Sequence, residues 1–544
     1  MLSKSQAKKE IKTIQMYRNR VQNGSLEILN NLKLQNLEIF SKLDISKLTV
    51  QNCGIQKKAL TSSTIKEFSI YGTIFYNLNE IILENLEVLT IVSCYLNSIS
   101  DINKFKNLRE LDLSNNTINN ISFLHSLELT KLKLQHNSIK DSSVLASLVN
   151  LRELDISYNR RIDIKPLRFL EHLIKLNISF CDVYNIDALK TLSKIEELDI
   201  SQCEGLQSYQ LENQINLRKL NVSCMLIEDF RFINKIESLR ELDLSDNLGI
   251  DLTKLNLVQI TKLWLRNTNL KNISQFNTLV NLEHLDISNN QNIDIIPLSD
   301  LPKLIHLNLS DCNIKNLHSL KDLRLQELDI SQNPGIDISA LQYMSNLEEL
   351  VSKKNTLKNI SVLKYLINLK KLVLSQNDID ITPLQYLTQL TYLSLDSCNL
   401  HEISALRPLH NLEYLNISAN LITHISPLSQ MMKLTFAQVD SGDIVDAPDI
   451  EHPYIDQFSI NRFEPNYHLS HQEIQQLHNV MHMIDIKSTQ LRENTRKYIS
   501  LKTINRRNRE KVGYQLQRLV QNQISFTNNI VSLFQQLNNQ EIYK

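Results

Sequence analysis

Apolar residues recur along most of the chain in the pattern L-x-x-L-x-L-x-x-N/C, in which the L positions are mostly Leu or Ile. One unit consists of Leu304, Leu307, Leu309 and Cys312. A unit this short cannot enclose a core alone, so the pattern predicts a stack of repeats in which each unit covers its neighbour. Successive units start 21 or 22 residues apart, at Leu86, Leu108, Leu129, Leu151, Leu173, Ile195, Leu217, Leu239, Ile260, Leu282, Leu304, Leu325, Leu347, Leu369, Leu390, Leu412 and Leu434.

Each unit predicts a short strand followed by a tight turn. Leu304, Leu307 and Leu309 form the apolar stripe of a strand whose side chains alternate between two faces. From Ile314 to Leu323, apolar residues recur at every third position, which is the period of a 3₁₀ segment. Proline fixes φ where the chain enters this second segment in four units, at Pro166, Pro297, Pro383 and Pro427.

The last position of the motif is Asn or Cys, and we predict a structural role for both. A buried Asn at the end of a strand can hydrogen-bond the backbone of the turn, where no ladder partner exists. Cys substitutes as a small, weakly polar side chain that is easily buried. Because a spacing of about 22 residues matches no metal-ligand motif, we predict free cysteines in the core. Cys224 lies one position early, and the other six occupy the column: Cys53, Cys94, Cys181, Cys203, Cys312 and Cys398.

These residues resemble the leucine-rich repeat superfamily over about residues 45–442. The short unit, with LDLS or LNIS around its third apolar position, is similar to internalin-type bacterial surface proteins and to intracellular leucine-rich-repeat regulators of protein phosphatase 1. The resemblance implies an α/β solenoid, a horseshoe with a parallel β-sheet on its concave face and 3₁₀ or short turns on its convex side. It also implies a protein partner on the concave face, which for the phosphatase regulators is a phosphatase catalytic subunit. The chain departs from those regulators because it has more repeats and lacks their terminal cap signature.

The chain divides into four predicted segments. Residues 1–44 predict a basic helix and a cap, residues 45–442 predict about 17 to 19 repeats, and residues 443–469 predict a C-terminal cap or linker. In residues 470–544 the apolar residues are spaced by three and four, which predicts a helical tail. These helices either form a hairpin or coiled coil, through which the chain could self-associate, or pack back on the end of the solenoid.

The net charge is zero, but the charges are unevenly distributed. Residues 1–22 contain six Lys or Arg and one acidic residue. Residues 487–518 contain ten Lys or Arg and two acidic residues, which leaves a net charge of −13 on the rest of the chain. This asymmetry suggests a second class of function, in which the basic tail binds the cytoskeleton, an anionic membrane surface or another coil. A third is nucleic-acid binding through the tail, because its basic residues suit phosphate contacts.

Several observations favour a cytoplasmic protein without enzymatic activity. Residues 1–22 are too polar for a signal peptide, and no stretch of about 18 apolar residues could span a membrane. Free buried thiols suit a reducing compartment, and the sequons at Asn177 and Asn308 fall on predicted strands. No catalytic or cofactor-binding signature occurs. The histidines from His468 to His482 lack acidic residues at a metal-binding spacing, so we expect neither a metal site nor a cofactor.

The candidate site lies on the predicted concave face, at residues that flank the second and third apolar positions of each strand. Most of these are Glu, Lys, Asp, Asn or Ser, and ordinary variation on a tolerant surface is one explanation for any exception. Because Trp, Tyr and Arg dominate binding energy at interfaces, we instead interpret the exceptions as a partner-binding site. The leading hypothesis is therefore an intracellular scaffold or regulator that grips a protein partner of unknown identity. The exceptions are Trp264, Arg266, His284, His306, Tyr392, Tyr414, Tyr158 and Phe180.

Overall fold

The computed structural model describes residues 12–440 apart from short gaps, together with the backbone of residues 457–461. The chain separates into two units, residues 1–461 and residues 462–544. The second unit lies outside the described residues, and so do the predicted helical tail and its histidines. The gaps in the first unit are residues 32–33, 35, 56–58, 184–185, 204–210, 212–214, 226–228 and 271.

A parallel sheet of 21 strands runs through the described part of the chain, as the repeat predicts. Each strand pairs with the next strand of this sheet along the chain, while β3 and β5 form a separate two-stranded sheet. The strands are β1 Ser25–Leu29, β2 Lys47–Gln51, β3 Leu60–Ser62, β4 Glu67–Tyr71, β5 Ile81–Leu83, β6 Val88–Val92, β7 Glu110–Asp112, β8 Lys131–Lys133, β9 Glu153–Asp155, β10 Lys175–Asn177, β11 Glu197–Asp199, β12 Lys219–Asn221, β13 Glu241–Asp243, β14 Lys262–Trp264, β15 His284–Asp286, β16 His306–Asn308, β17 Glu327–Asp329, β18 Glu349–Val351, β19 Lys371–Val373, β20 Tyr392–Ser394, β21 Tyr414–Asn416, β22 Phe436–Asp440 and β23 Gln457–Asn461.

Most strands are three residues long, because the motif supplies one inward apolar residue between two outward positions. In β10, Leu176 is aligned with Leu154 of β9 and Leu198 of β11. All three leucines are only 2% exposed, so one side of the sheet is core and the other faces outward. The constant register also aligns the outward residues of successive repeats in columns.

The second half of most units forms a short 3₁₀ segment, as the three-residue spacing predicts. Its central apolar residues, such as Leu167 and Leu341, are fully buried against the sheet. The four prolines that were predicted to begin these segments stand at the first or second position, where no backbone N–H is needed for a hydrogen bond. The segments are Leu37–Lys42, Ile102–Lys104, Ser122–Ser126, Ser143–Ser147, Lys165–Phe169, Asp187–Thr191, Arg231–Lys235, Leu252–Lys254, Ser274–Thr278, Ile296–Asp300, His318–Leu320, Ser339–Tyr343, Ser361–Tyr365, Thr382–Tyr386, Ser404–Leu406 and Ser426–Gln430.

A buried column of Asn residues follows the strands and links each repeat to the one before it. The Asn159 amide donates to the carbonyl oxygen of Leu134, in the preceding repeat, at 2.9 Å and to that of Ile156 at 3.0 Å. Its Oδ1 accepts a hydrogen bond from the Ile139 N–H at 3.0 Å. The predicted hydrogen bonding of the turn backbone is therefore confirmed, and the same side chain also joins adjacent repeats.

Cysteine makes a simpler contact in the same column. The Cys181 thiol donates to the Ile156 carbonyl oxygen at 3.2 Å, and burial raises the pKa of this thiol to about 12. Six of the seven cysteines are buried, and Cys224 is partly exposed one position earlier. The predicted core position is confirmed for the six that occupy the column.

The residue before the Asn/Cys column adopts the left-handed conformation in successive repeats. Asn115, His136, Tyr158 and Phe180 have φ values between 53° and 57°. A residue other than glycine is disfavoured there by roughly 1 kcal/mol, so the anchored side chain that follows must hold the turn in place. We call these left-handed positions the rim column, because they lie just past the carboxyl end of each strand.

The sheet extends beyond the predicted repeat region at both ends. Strand β1 lies within residues 1–44, and β23 lies within residues 443–469. A helix covers residues 12–18, and its Tyr17 packs edge-on against Phe40 with 5.1 Å between ring centroids. The segment predicted as an N-terminal cap therefore contributes a strand to the sheet as well as a helix.

Candidate functional site

Two columns of side chains cover the outward face of the sheet. The first outward column holds the residue before the central apolar residue of each strand, and the second outward column holds the residue after it. From β7 to β17 these columns contain eleven carboxylates and five lysines, and we call this part the charged region. From β18 to β22 they contain mostly aromatic, aliphatic and uncharged polar residues, and we call this part the aromatic region.

The first outward column of the charged region alternates Glu and Lys from β7 to β14, and neighbours form ion pairs across the strands. Because the paired side chains are partly exposed, each pair contributes only about 0–1 kcal/mol. Their main effect is that each charge is neutralised within the sheet. With distances from Nζ to a carboxylate oxygen, the pairs include Lys131–Glu153 at 2.9 Å, Lys175–Glu197 at 2.8 Å and Lys262–Glu241 at 2.9 Å.

The second outward column of the same region is acidic. Asp alternates with Asn in three strand pairs, and burial raises the pKa of Asp155 and Asp243 above the ordinary value. The charged region is thus internally paired in one column and carries an excess of carboxylates in the other. In each strand pair the Asn amide donates to the Asp carboxylate, at 3.4 Å for Asn177–Asp155, 3.2 Å for Asn221–Asp199 and 3.2 Å for Asn308–Asp286.

Trp264 interrupts the second outward column at β14. Its register places it between Asp243 and Asp286, and its side chain is partly exposed. Trp264 stands where an Asn would otherwise donate to Asp243, whose Oδ1 accepts a hydrogen bond from the Ser245 N–H at 2.9 Å. The indole also lines a shallow groove formed by the outward residues of β8–β13. Arg266, two residues further on, is exposed beside it.

His284 and His306 are stacked neighbours in the first outward column, with 3.8 Å between ring centroids and 7° between planes. Nδ1 of His306 lies 2.7 Å from a carboxylate oxygen of Glu327, although the two atoms are not aligned for a hydrogen bond. Burial is the main cause that lowers the pKa of His284, and the neighbouring His306 and Lys262 lower it further. His284 is therefore mostly neutral at neutral pH.

Tyr392, Tyr414 and Phe436 form a stack of three rings in the first outward column of the aromatic region. The ring centroids are 4.2 Å and 4.6 Å apart, and the planes differ by only 1° and 6°. Val351 and Val373 place two aliphatic side chains in the second outward column nearby. The structure thus brings the two predicted tyrosines together and adds a third ring that the motif did not indicate.

Tyr158 and Phe180 also stack, with 4.1 Å between their centroids, but they belong to the rim column rather than to the outward columns. His136 extends this stack on the other side of Tyr158, at 3.8 Å. These three rings therefore lie at the edge of the outward face.

The eight predicted residues form three groups rather than one site. Trp264, Arg266 and the two histidines occupy neighbouring repeats, whereas Tyr392 lies six strands from Trp264, about 29 Å at 4.8 Å per strand. Two rings of these stacks, His136 and Phe436, were not among the predicted residues. Both lie 22 residues from a predicted aromatic residue, so stepping by one repeat along each column would have found them.

In the part of the chain that the structure describes, no helix is long and apolar enough to cross a membrane. Three models of leucine-rich repeats match the sequence. Residues 128–169 match a model of two repeats, and residues 281–301 and 106–121 match single-repeat models. No curated protein sequence matches the chain.

Several solved structures are similar to the chain. Internalin C2 from Listeria monocytogenes is 32% identical over 35% of this chain and 84% of its own, with a TM-score of 0.33. The internalin inlF from the same species is 25% identical over 64% of this chain and 86% of its own, with a TM-score of 0.38. The mouse RP105/MD-1 complex, at 17% identity, covers 77% of this chain and 86% of the matched chain, and its TM-score of 0.50 indicates a shared fold.

Proposed function

The chain belongs to the leucine-rich repeat superfamily, and we propose that it is a non-enzymatic scaffold or regulator that holds a protein partner on the outward face of its sheet. The single observation that carries this proposal is the ring stack of Tyr392, Tyr414 and Phe436 on a face that is mostly polar elsewhere. At about 4.8 Å per strand, the sheet is roughly 95 Å long, which is enough to contact a whole folded domain.

The aromatic region is the better anchor because its side chains gain most from burial by a partner. Aromatic residues at interface centres contribute about 2 kcal/mol or more each, which is about 30-fold in affinity. In the charged region most side chains already pair with one another, so a partner would have to desolvate them without offering better contacts. Trp264 is the exception there, and we assign it as a second anchor with Arg266.

The test is affinity purification with the full chain as bait, followed by quantitative mass spectrometry. We expect Tyr392→Ala/Tyr414→Ala to lose a partner that the wild-type chain captures, and Trp264→Ala/Arg266→Ala to weaken its capture. Lys175→Ala/Glu197→Ala is the matched control, because it removes a neutral pair from the charged region. Unchanged capture by both aromatic variants would overturn the proposal.

The resemblance to phosphatase regulators names one partner that can be tested directly. A phosphatase catalytic subunit should then be enriched with the wild-type bait and depleted with Tyr392→Ala/Tyr414→Ala. An immunoblot of the same eluates measures this, and equal amounts with an empty bait would exclude this partner.

We also propose that the protein works inside the cell. The support is chemical, since six cysteines are buried as thiols in the core and a reducing compartment keeps thiols reduced. The sequon residue Asn177 uses its amide nitrogen in a hydrogen bond to Asp155 on the outward face of the sheet, which a glycan would block. Fractionation of cells that express a tagged full chain tests this, and a glycosidase-sensitive secreted form would contradict it.

A second candidate is an adaptor that binds the cytoskeleton, an anionic membrane surface or another coil through its tail. The observation in its favour is the cluster of ten Lys or Arg in residues 487–518. A chain truncated after Pro465 should then lose its cellular location and its self-association. Retention of both would rule this candidate out.

A further inference from the structure

We propose that the aromatic region binds an acidic and apolar segment of its partner, in which aliphatic or aromatic side chains stand next to Asp or Glu. This inference rests on the proposed function and specifies the partner's chemistry. It follows from what the ring stack exposes, from the cations beside it, and from the opposite charge of the rest of the sheet face.

The stack hides both faces of its central ring and one face of each outer ring, and it leaves the ring edges partly exposed. With centroids 4.2 Å and 4.6 Å apart and nearly parallel planes, Tyr414 is covered on both faces by Tyr392 and Phe436. The edge of an aromatic ring carries the positive part of its quadrupole, whereas the face carries the negative part. A partner that approaches the stack therefore meets positive edges, which favour hydrogen-bond acceptors and carboxylates over cations.

The phenol groups have the same preference. Burial first, and then a hydrogen bond with the Tyr392 side chain, raise the pKa of Tyr414, so its hydroxyl is protonated at any physiological pH. Because a hydrogen bond between the two phenols uses only one O–H, the pair keeps an O–H that can donate to a partner. A partner carboxylate or carbonyl oxygen is the natural acceptor for such a donor.

Cations flank the stack on the β18 and β19 side. Lys371 Nζ lies 5.9 Å from the centroid of the Tyr392 ring and 2.8 Å from a Glu349 carboxylate oxygen. Lys353 and Lys354 are exposed at the end of β18, and within the described part of the chain neither forms an ion pair. Two unpaired cations beside apolar side chains complement a segment that carries both acids and apolar groups.

The charged region strengthens this preference by excluding the same segment. Its outward columns contain eleven carboxylates against five lysines, and most of those lysines are paired. Like-charge contact is a common means by which proteins reject wrong binding positions. An acidic segment is therefore repelled from β7–β17 and accepted at β18–β22, which fixes where along the sheet it binds.

The test uses the full chain and arrays of short synthetic peptides that permute Asp, Glu, Leu and Phe. Two matched arrays replace every acid, one with Asn or Gln and the other with Lys. We expect the acidic array to bind and the other two to bind at least about tenfold more weakly, as measured by fluorescence anisotropy. Equal binding by the neutral or the Lys array, or no binding by any acidic peptide, would overturn the inference.

Charge reversal locates the binding. Lys353→Glu/Lys354→Glu should weaken the acidic peptides by about tenfold or more, and Arg160→Glu/Arg161→Glu is the control, because these exposed cations lie outside the aromatic region. Circular dichroism of each variant verifies the fold. If Tyr392→Ala/Tyr414→Ala loses the captured partner while the lysine reversal changes nothing, the inference fails and the proposed function stands. If neither pair matters, the inference fails, and the proposed function fails with it when Trp264→Ala/Arg266→Ala also leaves the capture unchanged.

Discussion

The charged region and the aromatic region share one core and differ in nearly everything that faces outward. Leu176 in β10 and Leu372 in β19 are both buried at the centre of a three-residue strand, aligned with a buried leucine on each side. Each of these strands begins with a lysine in the first outward column, but the lysines have different neighbours. Lys175 of β10 is aligned with Glu197 of β11, whereas Lys371 of β19 is aligned with Tyr392 of β20.

This difference separates the residues that maintain the fold from the residues available for binding. Inward positions accept little besides Leu or Ile because each must fill the same narrow space between repeats. Outward positions contact their lateral neighbours, the turn that follows and the solvent, so they can hold an ion pair in one repeat and an aromatic ring in another. The same scaffold therefore presents chemically opposite surfaces at different places along one sheet.

The largest expected effect tests whether the two regions really share one core. Asn159→Ala and Asn377→Ala should each lower the free energy of unfolding by about 3 kcal/mol, because each leaves several buried backbone groups unsatisfied. Asn377 donates to the carbonyl oxygens of Ser352 and Leu374, both at 2.8 Å, and matches Asn159 in this respect. Urea denaturation measures the loss.

Cys181→Ala is the control for this comparison, since its thiol makes only weak hydrogen bonds in the same column, such as the one to the Ile156 carbonyl oxygen. We expect its effect to be well below that of either Asn substitution. A large difference between Asn159→Ala and Asn377→Ala would mean that the cores of the two regions are not equivalent.

The next effect concerns the rings. Tyr414→Ala removes the central ring of the stack and should destabilise the protein by about 1–2 kcal/mol, because aromatic pairs contribute about 0.5–1.5 kcal/mol each beyond their burial. Tyr414→Phe keeps the stack and should cost much less. Thermal unfolding followed by near-ultraviolet circular dichroism reports both, and equal losses for the two variants would show that the hydroxyl, not the stack, is what matters.

A smaller effect is expected for the ion pairs of the charged region. A double-mutant cycle on Lys175→Ala and Glu197→Ala should give a coupling of about 0.5 kcal/mol, as is usual for partly exposed pairs, and salt should reduce it. Denaturation at low and high salt measures it. A coupling of several kcal/mol would mean that the charged region contributes to stability in a way that the aromatic region does not.

The smallest expected effect is a gain in stability, on substitution of Asp243. Burial raises the pKa of Asp243 in the folded protein, so this group favours folding most below its unfolded pKa and loses that contribution as pH rises through the folded pKa. At neutral pH the ionised carboxylate is therefore unfavourable, and Asp243→Asn should stabilise the protein by a few tenths of a kcal/mol. The gain should vanish towards about pH 4.

Denaturation midpoints across this pH range test the sign. Asp300→Asn, which changes an exposed carboxylate, should show no such trend. A stabilisation of Asp243→Asn that grew as the pH fell would contradict the assignment of burial as the cause.

The fold could be predicted from the sequence because the same inward apolar position recurs in every unit. This position marks where each strand lies, how it aligns with the next strand and which strand is its neighbour. The candidate site could be predicted only in part. Tyr392 and Tyr414 were found because they break the polar pattern of their columns, whereas Phe436 was missed because the unit from Leu434 departs from the motif at Ala437 and Gly442.

Pairing between repeats was the harder part to predict. The Asn side chain was expected to bond its own turn, but Asn159 also bonds Leu134, 25 residues earlier. The ion pairs are similar, since Lys175 and Glu197 are ordinary surface residues until the strand register sets them side by side. Stacked rings in the rim column, such as His136 on Tyr158, could be found only once the left-handed turn was known.

The Glu and Lys ladder of the first outward column gives the charged region a parity. From β7 to β14 the sign of the charge alternates with every repeat, so inserting or deleting one repeat would set like charges side by side, whereas changing the number by two would restore the order. The alternation ends at His284 of β15, and two like charges are aligned where Glu327 of β17 meets Glu349 of β18, the junction at which the aromatic region begins. Lengthening or shortening this protein by design should therefore proceed in pairs of repeats within the charged region, and by single repeats only at the junction.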